Sequence, residues 1–158
     1  MRGAVVAGAL LLAGLNALPG VLGASVWYRA GAAPQTPSRW ARAFWLTLRV
    51  GQGAALVFAL AVGVLAAVGR GSSDHLFYLY ALLPLAVAFV AEQLRVASAQ
   101  TILDQHGLEN AAAVGSLPRQ EQHLLVAAIV RREIGVMAAS ALVVVFLALR
   151  AASTAHGF

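Results

Sequence analysis

The sequence predicts an all-α fold, a four-helix transmembrane bundle, on three observations. Hydrophobic residues fill 61% of the 158 positions and charged residues 11%, and the mean hydropathy is +0.81. A soluble domain carries roughly 45–50% apolar and about 25% charged residues, so this composition belongs to an integral membrane protein. Four apolar segments approach the roughly 20 residues that cross a hydrocarbon core of about 30 Å. The charges between them fall at two depths, as the two faces of a bilayer require.

The first segment runs from about Ala4 to Val26. Arg2, the apolar run and "VLGAS" resemble a signal peptide, but the run is longer than such a leader needs. "WYR" at Trp27 to Arg29 is the aromatic and basic ending of a true span, which favours a retained helix. Asn16 and Pro19 are expected to loosen it. The second segment, Val50 to Val68, continues a helix that opens at "PSRWARAFWLTLR", with Ser38 as cap and Trp40, Phe44 and Trp45 as interfacial anchors. Gly51, Gly53 and Ala54, with the alanines and glycines of the first segment, permit close helix approach.

The third and fourth segments, Leu76 to Ala91 and Ile134 to Leu149, look short until their flanks are compared. Arg49 to Arg70, His75 to Glu92 and Glu133 to Arg150 are brackets of similar length, and arginine stems reach outward to complete them. Arg49, Glu92, Arg95, Arg131, Arg132 and Glu133 then share one level. At 100° per residue the "RRE" triplet points three ways around its helix and forms a collar.

Beyond that level the helical pattern continues as a hairpin over residues 92–133. Gln93, Gln100 and Asp104 share one face of its first arm; Val96, Ala99, Ile102 and Leu103 share the other with Glu92 and Arg95. Gly107 is the expected helix stop, "LENAAAVGS" the tip, Ser116 the cap of the next helix and Pro118 a member of its first turn. Pro84 is expected to bend the third helix. The second, third and fourth helices are thus expected to extend into the cytoplasm: eight arginines (29, 39, 42, 49, 95, 119, 131, 132) lie on the hairpin side and three (2, 70, 150) on the other. Both termini are then extracytoplasmic. The whole chain, residues 1–158, forms a single transmembrane domain, with no internal repeat.

Composition also narrows the chemistry. There is no cysteine, and every basic residue is arginine, which removes disulfides, thiolate and Schiff-base nucleophiles and the P-loop. The net charge of +5 arises from arginines flanking apolar spans, where they meet anionic lipid headgroups and not nucleic acid. Arginine without lysine, with alanine and valine in excess, points to a high-GC bacterial genome and so to a bacterial cytoplasmic membrane.

The candidate site is the set Arg42, Arg49, Gln52, Glu92, Arg95, Arg131, Arg132 and Glu133. Arg42, Arg49 and Gln52 fall on one side of the second helix, and in a hairpin centred near residue 112 Glu92 comes level with Arg132. Guanidinium forks suit phosphate oxygens, so this cluster is read as a lipid-phosphate or anion site; its alternative is interhelical ion pairing that fixes register. His106 and His123 flank the hairpin tip and are weak candidates for metal or haem. No cofactor is expected.

The stretch "WARAFWLTLRVGQGAALVF" resembles the second helix of the membrane glutathione-transferase and eicosanoid family, through Arg42, Ala43 and Arg49. Gln52 and Gly53 stand where that family has asparagine and glutamate, so its activity is not carried over. With its "AEQLR" and "RRE" junctions, the chain is similar to uncharacterised four-span membrane proteins of high-GC bacteria, a resemblance that implies no activity. The reading is a non-catalytic accessory or assembly subunit, or a lipid-binding scaffold. Its partners would be anionic lipids, a membrane protein or further copies of the chain. The alternatives are a small oligomeric transporter or channel, with Asn16, Thr47 and Gln52 as interior polar groups, and a membrane transferase or haem-binding protein.

Overall fold

The computed structural model describes residues 1–30, 39–108 and 111–156. Four long helices, α1 (Arg2–Ala30), α2 (Arg39–Ala67), α3 (His75–Gln105) and α5 (Arg119–Thr154), are joined by loops and one short helix, α4 (Ala111–Val114). Each long helix is apolar and long enough to cross a membrane. The protein is an all-α bundle of four membrane-span-length helices. Ser38, the expected cap of α2, and Glu109 and Asn110 of the tip lie outside the described residues.

Around the bundle the order is α1, α2, α3, α5, with α1 and α5 in the most extensive contact. Its packing follows the membrane rule in which small residues lie inside. The buried apolar set is rich in alanine (Ala9, Ala55, Ala81, Ala138, Ala148), whereas Leu11, Val57, Leu60, Val64 and Phe146 face outward. Without a hydrophobic drive between helices in lipid, close backbone approach supplies the dispersion contacts instead.

Two glycines show how close that approach is. A Cβ on Gly23 of α1 would lie 2.5 Å from the Phe44 ring of α2 and 2.7 Å from Ala138 of α5. Phe44, fully buried, therefore sits at a three-helix junction, and α2 stays packed in the bundle well beyond Arg49. Gly51 of α2 faces α1, where a Cβ would lie 2.9 Å from Asn16 Oδ1 and 3.2 Å from the Leu15 carbonyl. That carbonyl lacks its usual helical donor because Pro19 has no N–H. Gly53, by contrast, is exposed with nothing near it and plays no part in close packing.

α1 runs unbroken through Pro19, and Asn16 is a clamp and not a weak point. Its buried side-chain amide donates to Leu12 O at 3.0 Å and to Gly51 O of α2 at 3.3 Å. α3 likewise continues through buried Pro84.

At one end α3 and α5 continue as a pair and bury Ile102, Leu103 and Leu125 with Leu108, Val114, Leu117 and Ile129. Gln93, Gln100 and Asp104 are exposed as their spacing predicts, but Val96 is exposed too, and Ser98 is buried in its place. α3 stops where Gly107 takes φ +68°, with Leu108 N donating to Leu103 O and Gly107 N to Asp104 O, both at 3.0 Å. That pair of bonds is a Schellman closure, and only glycine adopts its left-handed residue without steric cost. The start of α5 differs from expectation. Pro118 is the cap position and, among the described residues, no side chain accepts from the first helical N–H groups; Ser116 Oγ donates back to Ala113 O, and the Gln122 amide donates to the Gly115 and Leu117 carbonyls of the preceding turn.

The other end holds both chain termini, since Val5 and Ala9 of α1 share a cluster with Ala151 and Ala155. There Asp74 caps α3 by accepting from Leu76 N, Ser72 Oγ donates to His156 O, and Arg150 lies over Tyr80. From Arg132 to Arg150 along α5 is about 27 Å, and from His75 to Arg95 along α3 about 30 Å, at 1.5 Å per residue. These separations match a hydrocarbon core. Trp27, Tyr28, Trp40 and Trp45 gather at the hairpin end of the bundle and Tyr78 and Tyr80 at the other, as interfacial aromatics do.

Candidate functional site

Seven of the eight predicted site residues fall into two groups on different sides of the bundle. The first spans α2 and α3. Arg49 Nη1 donates to Glu92 Oε1 at 2.6 Å and to Gln52 Oε1 at 2.7 Å, and Gln52 Nε2 donates to the same Glu92 oxygen at 3.3 Å. Arg49 and Gln52 are one helical turn apart, so both reach across to α3 together. Arg95, also a turn from Glu92, holds Nε 3.0 Å from Glu92 Oε2 as an ion pair and lays its guanidinium 5.5 Å from the Trp45 ring centre. Glu133 of α5 lies within the electrostatic range of Arg95 and Glu92.

This group is charge-balanced: two guanidiniums against two carboxylates. Both Glu92 oxygens are occupied, so the cluster works as an interhelical tie more readily than as an anion receptor. With the Arg49 side chain 53% exposed, the pair is strongly screened and contributes about 0–1 kcal/mol.

The second group lies where α1 meets α5. The Arg131 guanidinium stands 5.1 Å over the Trp27 ring, and its Nε donates to Trp27 O at a long 3.4 Å. Arg132 is exposed and borders a groove with Trp27. The collar predicted for the "RRE" triplet is therefore present. Glu133 turns toward α3, Arg131 is stacked on Trp27, and Arg132 faces outward over the groove. Arg42 joins neither group; it is exposed and has no ion-pair partner among the described residues.

Between the groups, at the bundle centre, a void of about 10 Å³ is bordered by Asn16, Gln52 and Ser140 together with apolar neighbours. A space of that size is close to the minimum for one water. The three polar groups proposed for an interior path are engaged elsewhere. Asn16 binds Gly51 O, Gln52 binds Glu92, and Thr47 Oγ1 donates to Ala43 O and Phe44 O of its own helix. His106 Nδ1 makes a 2.8 Å hydrogen bond with Ile102 O, and His123 is exposed. No cluster of three or more metal-binding side chains occurs among the described residues.

No family model, curated protein or solved structure matches the chain. In the second group, by contrast, neither Arg131 nor Arg132 forms an ion pair among the described residues. The sequence pattern marks Trp27 as a span ending but not as the platform for Arg131, nor does it mark Gly135, against which the indole lies. The signal available was depth: Trp27 and the "RRE" triplet each sit at the end of an apolar run.

Proposed function

We propose that this protein is a non-catalytic membrane scaffold or accessory module that binds anionic lipid headgroups through the arginine layer where the hairpin leaves the span. The membrane is the cytoplasmic membrane of a bacterium, the hairpin of α3 and α5 lies in the cytoplasm, and both termini are outside. Eight arginines on the hairpin side against three on the other support that orientation. One observation supports the lipid reading above the rest: Arg131 and Arg132 lie at the end of an apolar run beside an aromatic ring, with no acidic ion-pair partner among the described residues. Guanidiniums at that depth find their counter-charge in lipid phosphate. The hairpin, held by its own apolar cluster outside the span, is the part available to a membrane-protein partner or a further copy of the chain.

Native mass spectrometry of the protein released from mild detergent tests this directly. A retained lipid, partner or oligomer is the expected result. A bare single chain under conditions that preserve the fold contradicts the scaffold reading.

A further inference from the structure

We propose that the open groove between α1 and α5 is a binding site for one anionic phospholipid of the hairpin-side leaflet. The inference rests on the lipid-binding reading above and narrows it to a place and a charge. The groove has a volume of about 470 Å³, within the range of roughly 300–1,000 Å³ typical of small-molecule sites. Its α5 wall is Arg132, Gly135, Val136, Ala139 and Leu142, and its α1 wall includes Ala24 and Trp27. The α5 residues recur at helical spacing and form one face, descending about 15 Å from Arg132 into the span. The groove therefore has a cationic mouth at the membrane boundary and an apolar floor below it.

Gly135 shapes the mouth. A Cβ there would lie 2.9 Å from both Cδ1 and Nε1 of Trp27, so its absence lets the indole lie against α5. Arg131 holds that ring from above. Arg132 is left exposed, with no acidic residue lining the groove among the described residues, and Glu133 lies on the other side of α5, where it feels the Arg95 and Glu92 charges. A phosphate on Arg132 with an acyl chain along Gly135, Ala139 and Leu142 satisfies both halves of the groove at once. The uncompensated charge of Arg131 and Arg132 selects an anionic lipid over one that carries its own ammonium. A partner helix seated there would strip water from Arg132 without neutralising it.

The test uses the full chain in vesicles of equimolar phosphatidylglycerol and phosphatidylcholine, extracted in mild detergent and read by native mass spectrometry. The expected result is one phosphatidylglycerol per chain, held in preference to phosphatidylcholine. Arg132→Gln should lower its occupancy about tenfold and remove the preference, since a charge-assisted hydrogen bond is lost. Ala139→Leu, at an exposed floor position, should displace either lipid, while Arg119→Gln in the hairpin should change nothing. Equal retention of phosphatidylglycerol by all variants would overturn the groove assignment and leave lipid binding standing. No retained lipid on the unaltered chain would overturn both. A dimer dispersed by Ala139→Leu would show that a second copy fills the groove and would overturn the lipid proposal.

Discussion

Replacing Gly23 by alanine adds one methyl group at the junction of α1, α2 and α5. That methyl would stand 2.5 Å from Phe44 Cε2 and 2.7 Å from Ala138 Cβ, where carbon atoms prefer about 3.5–4.0 Å. Neither neighbour can give way alone: Phe44 is 0% exposed and Ala138 3%. The helices must part by about 1 Å, and overpacking of this kind costs about 1–3 kcal/mol. Gly14→Ala, in the same helix with nothing within 4 Å, is the control. Both substitutions gain up to about 1 kcal/mol of helix propensity, so that gain cancels between them and the two variants should differ by the overpacking cost, about 1–3 kcal/mol. Reversible unfolding in mixed micelles with increasing dodecyl sulfate, followed by circular dichroism, measures that difference. If Gly23→Ala and Gly14→Ala unfold at the same detergent fraction, the three-helix contact does not exist.

A double-mutant cycle on Arg49→Gln and Glu92→Gln should give a coupling of no more than about 1 kcal/mol that weakens with salt, and unfolding titrations at two ionic strengths check it. Asn16→Leu removes the amide bridge from α1 to Gly51 O and should cost about 1 kcal/mol in the same unfolding assay. Gly107→Val forces a β-branched residue to φ +68° and should cost about 1–2 kcal/mol. Hydrogen exchange should show that loss at the end of α3 and not in the spans.

Much of the architecture was legible because lipid imposes coarse rules. Length and apolarity mark the four helices long enough to cross a membrane. Gly107 was legible for a local reason, since a glycine ending a helical pattern closes it. What lies inside was harder to read. In water an apolar stripe separates core from surface, but here Leu11, Val57 and Phe146 face outward, so apolarity no longer signals burial. The informative residues are the small ones, and the sequence does not say which neighbour each meets: Gly23 meets Phe44 and Ala138, and Gly53 meets nothing. The sequence named eight polar residues near one level but not how they divide around the bundle, nor that Arg42 stands apart from the rest. Helical phase sends Arg131, Arg132 and Glu133 in three directions, but the ring order of the bundle decides that Glu133 meets the Arg95 side and Arg131 meets Trp27. Ser116 was an ordinary cap signal that failed because its hydroxyl turns back to donate to Ala113 O and the cap position falls to Pro118, which has no side-chain acceptor.

The central claim is that the arginine level and the tyrosine level are the two faces of a bilayer, with the hairpin beyond one and the termini beyond the other. Because the chain has no cysteine, single replacements report depth without background. Thr101→Cys, Val57→Cys and Ser153→Cys, all at exposed positions, should be treated with a membrane-impermeant maleimide in right-side-out and inverted vesicles. Thr101→Cys should label only in inverted vesicles, Ser153→Cys only in right-side-out vesicles, and Val57→Cys in neither. Labelling of Val57→Cys from water, or of Thr101→Cys and Ser153→Cys from the same side, would contradict the account.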